Sequence, residues 1–84
     1  MIPTLKVALV TGAGTGIGRN TALRLLEECY SVVLAGRRIE LLEKTKREAG
    51  DSGSRTLIVP TDVGSPESVR ELFTKIRETF GTLD

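Results

Sequence analysis

Two hydrophobic periods alternate along the chain. Val7-Ala8-Leu9-Val10 is an unbroken apolar run, and without polar alternation it reads as a short strand covered on both faces. It leads into Thr11-Gly12-Ala13-Gly14-Thr15-Gly16-Ile17-Gly18, where every second residue from Gly12 is glycine. The period then changes: Ala22, Leu25, Leu26 and Cys29 fall at the i, i+3, i+4 and i+7 positions of a helix. Glu28-Cys29-Tyr30 marks a break before a second buried strand, Ser31-Val32-Val33-Leu34-Ala35, which Gly36-Arg37-Arg38 ends. From Ile39 to Ala49 the residues Leu41, Leu42, Thr45 and Ala49 share one side, with charges elsewhere, as in a surface helix. Glu40 stands four residues before Lys44, and Glu43 four before Arg47, the favourable order for helix ion pairs. Gly50-Asp51-Ser52-Gly53-Ser54 has the composition of a loop. A third strand, Thr56-Leu57-Ile58-Val59, is stopped by Pro60. The third helix opens at Ser65-Pro66-Glu67, with serine as N-cap, proline at N1 and an acid in the first turn. Its stripe is Val69, Leu72, Phe73, Ile76 and Phe80, and Gly81 is placed to end it.

The order β-α-β-α-β-α predicts an α/β fold. It reads as a Rossmann-like three-layer half: a parallel sheet of three strands in the order 3-2-1, three helices and right-handed crossovers. A fourth strand would adjoin the first on its other side, and it is absent or only begun at Leu83-Asp84. The first strand is therefore expected to present an apolar sheet edge, which proteins normally cover. On this reading residues 1–84 are a partial domain rather than a complete working unit, and the open edge is a route to self-association.

Composition narrows the picture mainly by exclusion. The chain has 84 residues, fewer than the roughly 100–150 of a common domain, so one small domain is the most it holds. A net charge of +1 and only three aromatics, Tyr30, Phe73 and Phe80, give no basic patch or stacking platform for nucleic acid. The single cysteine, Cys29, excludes an internal disulfide and suits a reducing compartment. With no histidine there is neither an imidazole metal site nor Ser-His catalysis, and no metal is expected. The apolar run before Thr11 is too short for a signal segment of roughly 7–15 residues, and no stretch suits a membrane span. The expectation is a soluble, cytoplasmic protein.

Candidate chemistry lies in the glycine run. A strand, a glycine turn and a helix aim free backbone N–H groups and the positive end of the helix at an anion, here a phosphate. A P-loop would need Lys-Ser/Thr after its last glycine, and Gly18 is followed by Arg19-Asn20. The G-x-G-x-x-G form would need glycine at position 17, which is Ile17. What stands is Thr11-Gly12-x-x-x-Gly16-Ile17-Gly18, and with it the chain resembles the short-chain dehydrogenase/reductase family, whose nucleotide loop is T-G-x-x-x-G-x-G. The resemblance extends to Phe80-Gly81-Thr82-Leu83-Asp84, similar to the family's F-G-x-L-D. It departs at Asn20, where a small apolar residue is common, and at Cys29, where a helix-ending glycine often stands.

The end of the second strand bears on which dinucleotide binds. An acid about 20 residues past the glycines normally holds a 2′-hydroxyl. Arg37 stands 19 positions after Gly18, within Gly36-Arg37-Arg38, and the nearest acid, Glu40, lies in the helix. A guanidinium suits a 2′-phosphate that a carboxylate would repel. The expected cofactor is NADP, with NADPH preferred over NADH, Arg37 on the phosphate and Arg38 stacking on or flanking the adenine. Two solvated arginines ending a strand are the alternative. The resemblance implies that Asp62 and Val63, after the third strand, contact the adenine, although Asp also caps turns routinely. Gly12, Gly16, Ile17 and Gly18 complete the expected cofactor set, Thr15 is placed to reach the ribose or its phosphate, and Thr11 is expected to bond backbone and hold the turn.

The resemblance also implies an NADP(H)-dependent oxidoreductase that interconverts a carbonyl and an alcohol, with this chain as its N-terminal cofactor-binding fragment. The family's Asn-Asn-Ala-Gly segment and its catalytic Ser and Tyr-x-x-x-Lys have no counterpart here. Tyr30 is the only tyrosine and is followed four residues on by Leu34. No catalytic residue is therefore expected, the fragment alone is expected to be inactive, and a small-molecule substrate belongs to a longer product. The competing expectations are a non-catalytic nucleotide-binding or subunit-interaction module, and a fragment too incomplete to fold well.

Overall fold

The structure, a computed structural model, describes residues 6–81. Three strands, β1 (Val7–Thr11), β2 (Ser31–Gly36) and β3 (Thr56–Pro60), alternate with three helices, α1 (Gly16–Glu27), α2 (Ile39–Glu48) and α3 (Pro66–Phe80). Both pairings are parallel, with Val7 opposite Ser31 and Val32 opposite Thr56, and β2 lies between the other two. This is the expected strand order.

The period of two along each strand divides the core in half. Val10, Val32 and Leu34 face α1 and α2, where they meet Ala22, Leu26 and Leu42. Val7, Val33, Ala35 and Val59 face the opposite side, where Leu72 and Ile76 of α3 cover them. The result is helix, sheet, helix in three layers. Val32 through Ala35 are fully buried because β2 is central and covered on both faces, which is why its sequence shows no alternation. Helix α3 opens as its cap residues predict: the Ser65 hydroxyl accepts the Ser68 N–H at 3.3 Å. It closes at Gly81, whose φ is 80°.

Several local expectations need correction. Gly50 to Arg55 form a short 3-10 helix rather than an irregular loop, fastened by the Arg55 guanidinium donating to the Leu26 carbonyl at 2.6 Å. Pro60 ends β3 from within, opposite Gly36; β3 lies at the edge of the sheet, where a missing N–H is tolerated. Cys29 is exposed and lies beyond α1, not on its buried stripe. Phe73 is 42% exposed, because α3 meets the sheet through Leu72 and Ile76 and the next position turns outward. Neither expected ion pair of α2 forms among the described residues. Glu40 instead accepts from Arg38, and Glu48 pairs with Arg19 of α1. The segment Thr82-Leu83-Asp84, with the expected start of a fourth strand, lies outside the described residues.

Candidate functional site

Parallel strands all end on the same side of the sheet, and the loops leaving those ends enclose a cleft of about 310 Å³. Its floor is set by Thr11, Gly36 and Thr61, which end or follow the three strands. One wall is the glycine loop at Gly12, Gly14 and Thr15, and another is Arg37 and Arg38 at the entry to α2. Val63 closes the β3 side.

The glycine loop is built for close backbone approach. Gly12 and Gly16 have φ of 63° and 52°, the left-handed region that ordinary side chains avoid. Gly18 is required for another reason: any Cβ there would overlap the Gly12 carbonyl. Thr15 is the N-cap residue of α1, yet its side chain makes no capping bond, and no acid stands in the first turn. The N–H groups of Gly16, Ile17 and Gly18 have no acceptor among the described residues; the first one satisfied is that of Arg19, by the Thr15 carbonyl at 3.2 Å. Three donors and the positive end of a helix dipole thus meet beside the cleft, with no acidic residue in the helix's own first turn. Helix α3 shows the opposite treatment, with Ser65 capping and Glu67 in its first turn. Ile17, between two of those donors, is 85% exposed and stands beside the cleft rather than lining it.

The arginine pair is divided by its bonding. Arg38 Nε donates to Glu40 Oε1 at 2.9 Å. Hydrogen bonding from its own backbone N–H, and from Arg38, holds the Glu40 carboxyl below its ordinary value. Arg37 is exposed and makes no hydrogen bond or ion pair among the described residues, so its five donors remain available at the cleft. Asp62 Oδ1 accepts the Gly64 N–H at 2.9 Å, the turn-capping role, while Thr61 and Val63 on either side of it line the cleft. Thr11 lines the cleft as well, and among the described residues its hydroxyl bonds no backbone group, contrary to expectation.

Sequence reading missed Gly14, Leu41, Leu42, Thr45 and Thr61. Leu41 and Leu42 line the cleft from a helix stripe that marks only burial. Thr61 is buried and donates to the Val59 carbonyl at 2.9 Å, which shapes the turn after β3. Thr45 bonds the Ala13 carbonyl from a position 32 residues away, and no local pattern reveals that contact.

A model of the family described as short chain dehydrogenase matches residues 6–84. An uncharacterized oxidoreductase of Staphylococcus aureus (strain USA300) is 47% identical over 81 residues, covering 96% of this chain and 34% of the relative. The crystal structure of an alcohol dehydrogenase from the archaeon Thermococcus sibiricus, complexed with 5-hydroxy-NADP, superposes with a TM-score of 0.89 at 36% identity. It covers 96% of this chain and 35% of that one. A 3-ketoacyl-(acyl-carrier-protein) reductase from Brucella melitensis, complexed with NADH, gives 0.84 at 33% identity, over 94% of this chain and 31% of that one. The chain spans about a third of the length of the curated relatives it matches.

Proposed function

The chain belongs to the short chain dehydrogenase family, and from that premise we propose that residues 1–84 form the cofactor-binding part of an NADP(H)-dependent oxidoreductase acting between a carbonyl and an alcohol. The observation that carries this reading is the uncapped N-terminus of α1, with its free Gly16, Ile17 and Gly18 N–H groups, which directly follows Thr15 in the lining of the cleft that Arg37 borders. The α1 donors would hold the pyrophosphate. Arg37 would take the 2′-phosphate, and Arg38, held by Glu40, would flank the adenine. Asp62 offers its second carboxylate oxygen to the adenine amino group beside Val63, and the Thr15 hydroxyl reaches the ribose or its phosphate. The bound nicotinamide supplies the hydride, and the protein supplies binding and orientation. These 84 residues contain no Tyr-x-x-x-Lys pair, so they bind dinucleotide without turning over a carbonyl substrate.

Both NADP and NADH complexes occur among the similar structures, so the choice rests on Arg37. Titration of the chain with the two cofactors tests it. NADPH is expected to bind more tightly, and Arg37→Asp to weaken NADPH binding by more than about tenfold while sparing NADH, the loss of one charge-assisted contact. Equal losses for both cofactors would refute the 2′-phosphate role.

A second reading rests on the sheet. Among the described residues no strand pairs with the far side of β1 from Ala8 to Thr11. That edge suits a further strand or a second copy, making the chain a subunit-interaction module. A mass that stays monomeric across concentration and is unaffected by NADPH would rule this out.

A further inference from the structure

Thr45 is fully buried on the inner side of α2. Its hydroxyl lies 2.9 Å from the Ala13 carbonyl and 3.2 Å from that of Leu41. A threonine within a helix commonly bonds only the carbonyl four residues back. Here the shorter contact reaches the glycine loop. Ala13 is itself fully buried, and its N–H donates to the Ala35 carbonyl of β2 at 3.2 Å. Both polar main-chain atoms of Ala13 are therefore held, one by the sheet and the other by α2. At the next residue, a Cβ added to Gly14 would lie 2.6 Å from Leu41 Cβ. Helix α2 thus grips the loop at two consecutive residues, by a hydrogen bond and by direct contact.

We infer that Thr45 is a positioning residue for the phosphate-binding loop, an assignment that rests on the dinucleotide reading above. The Ala13 carbonyl and the Gly14 N–H belong to one planar peptide and point in opposite directions, so fixing one fixes the other. The Gly14 N–H has no acceptor among the described residues, and the chain then runs directly into the uncapped start of α1. Holding this peptide sets the direction of the loop's donors before an anion arrives. Without the hydroxyl, the Ala13 carbonyl would be left buried and unpaired, and the cost of ordering the loop would fall on binding. Because the same helix begins beside Arg37, the tether also fixes the spacing between the loop and the guanidinium.

The test is NADPH titration of the wild-type chain, Thr45→Val and Thr45→Ser, with a thermal melt of each to set a temperature at which it is folded. Thr45→Val is expected to bind NADPH about fivefold to tenfold more weakly, in proportion to one hydrogen bond, and Thr45→Ser to restore binding. A purely structural hydroxyl would lower the melting temperature of Thr45→Val and leave the affinity of the folded protein unchanged, and that result overturns the assignment. If Thr45→Val does not fold, Thr45→Ala removes the same hydroxyl, and unchanged affinity there is equally decisive. A wild-type chain that binds no NADPH overturns the dinucleotide reading itself, whereas normal wild-type binding with unaltered variants overturns the role of Thr45 alone.

Discussion

Cys29 occupies the point where α1 gives way to β2, with φ of 69°. The turn is closed twice, by the Cys29 N–H on the Leu26 carbonyl and the Tyr30 N–H on the Leu25 carbonyl, both at 3.1 Å. That bonding is the Schellman arrangement, which favours glycine at the left-handed position. A side chain there costs about 1 kcal/mol. Cys29→Gly should therefore raise stability by roughly 0.5–1 kcal/mol in a denaturant melt, since the strain it relieves exceeds the added freedom of the unfolded chain. No gain would mean that the turn holds the cysteine without strain. Glu40 supports a prediction with a defined sign. Its folded pKa lies below the ordinary 4.5, so its contribution to stability is present above that value and is lost as the pH falls through the lowered one. The stability difference between wild type and Glu40→Gln should stay level at neutral pH and close in acid. A difference that widened in acid would contradict the bonding seen at Arg38.

At the scale of elements, the two N-termini of α1 and α3 separate stability from function. Ser65 accepts the Ser68 N–H, so Ser65→Ala should cost about 1 kcal/mol in a melt. Thr15 caps nothing with its side chain, so Thr15→Ala should leave the melt within a few tenths of a kcal/mol while weakening NADPH binding. A stability loss equal to that of Ser65→Ala would show that Thr15 caps α1 in solution. This contrast is partly legible in the sequence: Ser65-Pro66-Glu67 announces a capped start, and Gly16-Ile17-Gly18 announces one left open. The element order and strand pairing are legible for the same reason, since unbroken apolar runs and helical stripes report burial directly. What periodicity cannot resolve is which of two adjacent apolar positions faces the core. Leu72 and Phe73 look equivalent along the chain, and only the packing of α3 on the sheet turns Phe73 outward. The 3-10 helix at Gly50–Arg55 escapes for a different reason, because its anchor, the Leu26 carbonyl, lies on another element.

Across the whole molecule, the site is assembled from contacts that span the chain, and the fold is held by two cores that lie on opposite faces of one sheet. The glycines and Arg37 carry their chemistry in their own spacing, whereas the groups that set the shape of the cleft, Thr45 on Ala13 and Leu41 against Gly14, act only after α2 has packed. Leu34 belongs to the core beneath α1 and α2, and Leu72 to the core beneath α3, with β2 contributing to both. Each Leu→Ala change should cost about 2–5 kcal/mol. That is a large share of the total stability expected for a domain of this size, about 0.05–0.15 kcal/mol per residue. Because β2 links the layers, Leu34→Ala and Leu72→Ala should each lower one shared transition, seen alike by backbone circular dichroism and by Tyr30 fluorescence. NADPH at a hundred times its dissociation constant should restore about 2.7 kcal/mol to either variant, since ligation acts on the folded state as a unit. A separate early transition in Leu72→Ala, untouched by NADPH, would instead make α3 a cover that melts independently of the site. The cofactor cleft would then depend on the β1-α1-β2-α2 layer alone.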